Sequence, residues 1–147
     1  MTEEEYADRT VAQIEAAFAH RSIPQHVGTS ESALWFSGRS ADDLTIADWA
    51  GREGALHDFK VEAFIYYLQA VLRIAITSQG FPALVQVLLN KLDKTHDQHF
   101  QHLDRLTRHE LITIRHCLHL LSYRLEIGDG PVRRAMRTVV AIRPAVH

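Results

Sequence analysis

The sequence predicts an all-α protein: a single compact domain over residues 1–147, with about six helices arranged around one central apolar helix at residues 58–76. Three observations carry this prediction. Apolar residues recur at spacings of three and four in several separate stretches, which is the period of one helix face. No window combines alternating polarity with β-branched residues, the signature of a strand, and no internal repeat is visible. The run DFKVEAFIYYLQAVLRIAI, from Asp58 to Ile76, is apolar around almost its whole circumference, and such a helix is buried by neighbours on several sides.

Taken in order, Thr2 and Glu5 have the spacing of a capping box, so a helix is expected to start there. Val11, Ile14 and Phe18 then form a stripe that ends before Pro24. A connection follows from His20 to Gly28. Ser30 to Phe36 reads as a short helix with Leu34, Trp35 and Phe36 as its apolar residues, closed by a left-handed Gly38. Ser40 and Asp43 suggest a further start, with Leu44, Ile46 and Trp49 as anchors. The two tryptophans are expected to cover one end of the core.

Asp58 is the expected N-cap of the central helix. Thr77 to Gly80 stops it, and Pro82 suits the first turn of the next helix, whose Leu84, Val85, Leu88, Leu89 and Leu92 face should fold back against it. Asp93 to Leu106 is polar and His-rich, anchored by Phe100, Leu103 and Leu106. Thr107 and Glu110 make a second capping box, opening a helix with Leu111, Ile114, Leu118, Leu121 and Leu125 on one face and an end at Gly128. Pro131 begins a last helix with Val132, Ala135, Met136, Val139 and Val140 inward.

The pattern Ile14-x-x-Ala17-Phe18, Pro24, Phe36-x-Gly38 and Leu56-x-x-Phe59-x-x-Glu62-Ala63-x-x-Tyr66-Tyr67-Leu68-x-Ala70, with Leu106-Thr107-x-x-Glu110 later, resembles a bacterial family of small helical proteins of unknown function. The resemblance spans roughly residues 11–123. It departs at Gln69, where the family is expected to carry Pro, and it implies a helical fold without transferable catalytic residues.

A formal charge of −2 creates no overall field favouring nucleic acid or an anionic membrane. The C-terminal Arg133, Arg134, Arg137 and Arg143 lack interleaved aromatics, so they are read as solvated or facing the acidic N-terminal residues. Neither a nucleic acid nor a membrane is an expected partner. The single cysteine, Cys117, lies in an apolar helical run and reads as a buried structural thiol in a reducing compartment. With an acidic N-terminus and no charge-free span, a cytoplasmic protein is expected.

Two constellations are candidates for function. Glu62, Tyr66, Gln69 and Arg73 form the one polar stripe on the central helix. They read either as its solvent-facing or internally paired edge, or as a polar groove for a partner protein or small ligand near Trp35 and Trp49. His96, His99 and His102, with Asp97 and Asp104 nearby, could ligate zinc or another divalent metal, although a solvated His-rich connector explains the same residues. No phosphate-binding loop, nucleophile elbow or cysteine pair is present. The expectation is therefore a non-catalytic protein-binding module without a cofactor, a toxin-neutralising immunity protein being its specific form. A His-dependent metal-binding protein or small metalloenzyme is the alternative, and residual apolar faces could instead form a homodimer.

Overall fold

A computed structural model of the chain describes residues 2–77, 82–93, 100–124 and 130–144. Among the described residues it has eight α-helices and no strand. Three segments are long helices that the periodicity anticipates: α1 (Glu3–Phe18), α5 (Val61–Thr77) and α7 (Arg108–Arg124). Between α1 and α5 lie the short α2 (Glu31–Trp35), α3 (Ile46–Trp49) and α4 (Ala55–Asp58), with a 3-10 turn at Ala41–Asp43. After α5 come α6 (Pro82–Leu92), a 3-10 helix at Phe100–Arg105 and, beyond α7, α8 (Gly130–Ala141).

α5 is the centre of the molecule. Of its residues only Val61, Glu62, Arg73 and Thr77 escape burial. It is contacted by α1, α6, α7 and the 3-10 turn at residues 41–43, while α8 closes the other side of α6 and α7. This arrangement follows from its composition, since an apolar circumference must be covered on all sides. The capping boxes at both predicted positions are formed: Thr2 with Glu5, and Thr107 with Glu110. α6 begins at Pro82, as the proline predicts. Leu103 and Leu106 anchor the segment ahead of α7. Leu125 and Gly128 lie outside the described residues.

Four expectations need correction. The central helix does not begin at Asp58, which instead ends α4. Phe59 turns extended (ψ 141°) and its amide closes the α4 turn on the Ala55 carbonyl at 2.9 Å. That turn sends the Phe59 ring to Phe36 (5.4 Å) and Tyr67 (5.2 Å), so aromatic packing outweighs the local cap. Secondly, Leu34 is 52% exposed, and it is Ala33 and Phe36 that seat α2 in the core. Thirdly, Ser40 caps only a 3-10 turn, through the Asp42 amide at 3.4 Å. α3 starts instead at Thr45, whose amide donates to the Asp48 carboxylate at 2.8 Å. Finally, Val140 faces solvent at 55% exposure because Val132, Ala135 and Val139 already fill the inner face of α8.

The chain also makes a close approach that fixes the connection after α1. Lys60 N–H donates to the Val27 carbonyl at 2.8 Å. The neighbouring Gly28 has φ +148°, and a Cβ there would lie 2.7 Å from the Asp58 carbonyl oxygen. Only glycine fits both the backbone angle and the space. Gly38 (φ 76°) supplies the left-handed residue expected after α2.

Candidate functional site

The polar stripe of α5 divides into two parts. Glu62 is exposed near the start of the helix. Tyr66 and Arg73 are turned towards residues 41–44 and act as a clamp, while Gln69 Nε2 donates to the Tyr66 carbonyl of its own helix. The Tyr66 hydroxyl accepts the Ala41 amide at 3.0 Å. Arg73 Nη2 donates to the carbonyls of Ala41 (3.1 Å) and Leu44 (2.8 Å). The adjacent Tyr67 hydroxyl reaches the carbonyls of Phe36 (2.6 Å) and Arg39 (2.8 Å). Burial first, and Tyr66 beside it, push the Tyr67 phenol up to about 12, so it stays a neutral donor.

The same three stripe residues line a cleft of about 550 Å³ together with Glu15, Phe18, Ala19, Arg21 and Asp42. Neither Trp35 nor Trp49 borders it. Trp49 is fully buried against Phe36 (4.4 Å), whereas Trp35 is partly exposed.

At one end of the cleft Arg21 is held by Glu110, the buried acidic member of the α7 capping box. Its Nε and Nη2 meet the two carboxylate oxygens at 2.8 and 2.6 Å, and Nη2 also donates to the Arg105 carbonyl at 3.1 Å. His20 Nε2 lies 3.2 Å from the same carboxylate. Burial alone would raise the Glu110 carboxyl. The hydrogen bonds from Arg21 and the Thr107 amide, with the charges of Arg21 and His20, outweigh it and hold the group below the usual carboxylate range. The capping spacing identified Glu110, but nothing in the sequence signals its ion pair with Arg21, 89 positions away.

A second surface was not legible from the sequence. Arg39 Cζ and Arg52 Cζ stand 3.7 and 3.9 Å from the Trp35 ring centroid. Arg39 Nε is tethered to the Trp35 carbonyl (2.7 Å) and Arg52 Nη1 to the Asp48 carbonyl (3.0 Å). Neither arginine forms an ion pair among the described residues. Exposed Leu34 precedes Trp35 directly on α2. A further, mostly apolar groove of about 750 Å³ runs between α7 and α8, bordered by Leu118, Val132, Met136, Val140 and Arg137.

The metal candidates His96 and His99, and the side chain of His102, lie outside the described residues. Among the described residues no group of three or more His, Cys, Asp or Glu side chains is placed to hold a metal. His116 Nδ1 instead lies 2.8 Å from Gln13 Oε1 across the α1–α7 contact. Cys117 is fully buried, and burial pushes its thiol up to about 12, so it is a packed, protonated side chain. On α8, Arg134 Nε donates to Asp93 at 2.9 Å. No helix among the described residues is long and apolar enough to cross a membrane. Compared with family models, curated proteins and solved structures, the chain finds no match.

Proposed function

We propose that the protein is a non-catalytic protein-binding module whose docking face centres on Trp35. The observation that carries this reading is the Arg39–Trp35–Arg52 stack. Tryptophan and arginine are the residues in which interface energy concentrates, above all when the aromatic ring is rigid and surrounded by groups that exclude water. Each arginine is tethered to a backbone carbonyl, which holds both cations against the ring, and exposed Leu34 extends the apolar area. Two cations without carboxylate partners among the described residues favour a partner segment that carries acidic side chains.

Within this reading a toxin-neutralising immunity protein is the specific form, its target presenting an acidic surface to the stack. The test is a native mass spectrum of the protein purified from its own source, alongside a Trp35→Ala variant. A stoichiometric second protein, lost from Trp35→Ala while the folded state survives, is the expected result. The two cation–π contacts contribute about 0.5–1 kcal/mol each at such a site, so unfolding should shift only modestly. Retention of the partner by Trp35→Ala would remove the docking face from Trp35. A bound metal with no second protein would move the function to His96, His99 and His102, and a mass of two chains would indicate a homodimer.

A further inference from the structure

The cleft beside Arg73 is separate from the Trp35 face, and its chemistry is of another kind. We infer that it is a binding site for a small zwitterion bearing one carboxylate and one ammonium group, of which a free amino acid is the simplest example. Its volume of about 550 Å³ falls within the range of small-molecule sites, roughly 300–1,000 Å³.

The positive side is preorganised. Both hydrogens of Arg73 Nη2 are committed to the carbonyls of Ala41 and Leu44, which fixes the plane of the guanidinium and leaves its Nη1 and Nε donors without partners among the described residues. Arg21 is fixed by Glu110 and the Arg105 carbonyl through Nε and Nη2, leaving Nη1. Arginines held in this way offer a carboxylate single, fixed donors, Nη1 or Nε of Arg73 and Nη1 of Arg21, rather than a two-donor fork, and they lose little side-chain freedom on binding.

The negative side is equally specific. Glu15 and Asp42 border the cleft, are exposed, and form no ion pair among the described residues. Gln69 uses Nε2 on the Tyr66 carbonyl at 2.8 Å, which leaves its Oε1 as an acceptor. Because Glu110 already balances Arg21, the cleft holds one uncompensated cation, Arg73, facing two carboxylates. A phosphate would be repelled by Glu15 and Asp42, and a simple amine by Arg73. A molecule with opposite charges at its two ends satisfies both sides, with Phe18 and Ala19 as an apolar wall for its body.

The experiment is an NMR titration of the folded protein with each of the twenty amino acids, repeated for any binder with its decarboxylated amine, its deaminated acid and inorganic phosphate. At least one amino acid is expected to bind saturably with a Kd at or below about 1 mM, with both truncated analogues about tenfold weaker or worse. Asp42→Asn, an exposed substitution, should weaken the amino acid by about tenfold and leave the deaminated acid unchanged. Absence of saturable shifts in every titration up to about 10 mM would overturn the inference. So would equal affinity for the acid and the intact amino acid, or tighter binding of phosphate, either of which would make the cleft a plain anion site.

Discussion

The long-helix bundle and the segment of short helices between α1 and α5 are held by different physics. In the bundle, α1, α5 and α7 have 16 or 17 residues each and bury apolar stripes against one another. In the segment, α2, α3 and α4 have five, four and four residues. Helices that short are not stable alone, since nucleation costs more than so few hydrogen bonds return. They take their shape from α5, through the Tyr66, Tyr67 and Arg73 clamps on the backbone of residues 36–44 and the aromatic cluster around Phe36. Both candidate surfaces include this borrowed segment: Trp35, Arg39 and Arg52 belong to it entirely, and the cleft takes Asp42 from it. The bundle supplies rigidity and the pinned segment supplies much of the chemistry.

The largest expected effect lies in the bundle. Glu110 is fully buried and its carboxylate ties α7 to Arg21, just beyond α1. Glu110→Gln breaks that pair and leaves Arg21 uncompensated, at a cost of about 3 kcal/mol in chemical denaturation. Because the folded-state carboxyl lies below its ordinary value, its stabilisation is fully present above the unfolded Glu range and is lost as pH falls through the folded value. Wild-type stability should therefore decline as pH drops below about 5, from this group among others. Glu110→Gln should flatten part of that slope, and an unchanged slope would show that the pair contributes nothing net.

A smaller effect is expected in the segment, and it separates the two regions more sharply. Tyr67→Phe removes the phenol donor shared by the carbonyls of Phe36 and Arg39, the former keeping the Arg39 amide at 3.0 Å, and the lost hydrogen bonding costs about 0.5–1.5 kcal/mol. Native-state hydrogen exchange should then accelerate in α2–α4 while amides in the middle of α7 keep their protection. Equal acceleration in α7 would mean that the segment and bundle open as one unit.

The same division explains what the sequence could reveal. Thr2 with Glu5, Thr107 with Glu110, and Pro82 at the start of α6 are local signals, acting within one turn of chain, and they are realised. The burial of α5 follows from its own composition. The Asp58 cap fails because the ring of Phe59 is drawn to Phe36 and Tyr67, a tertiary preference that no local spacing encodes. Of the polar stripe, helical periodicity correctly groups Tyr66, Gln69 and Arg73, which share the cleft, but Glu62 sits too near the helix start to reach it. The other cleft residues come from α1, the stretch after it and the 3-10 turn, so the cleft exists only once the chain has folded. The stack at Trp35 is similar, because the 3-10 turn and α3 separate Arg52 from it along the chain.

The smallest expected effect concerns Leu34, where apolar character and burial part company. The string Leu34-Trp35-Phe36 reads as a continuous apolar anchor, yet one turn of α2 can present only part of it to the core. Ala33 and Phe36 are fully buried, and Leu34 is left 52% exposed. Leu34→Ser should therefore change stability by no more than about 0.5 kcal/mol, the range for surface positions outside special backbone or packing sites. A loss above about 2 kcal/mol would mean that α2 is seated by Leu34 and that the segment packs differently from the arrangement around Phe36. If stability holds while the stoichiometric partner of the wild-type protein is lost, the exposed leucine is retained for docking beside Trp35 rather than for the core.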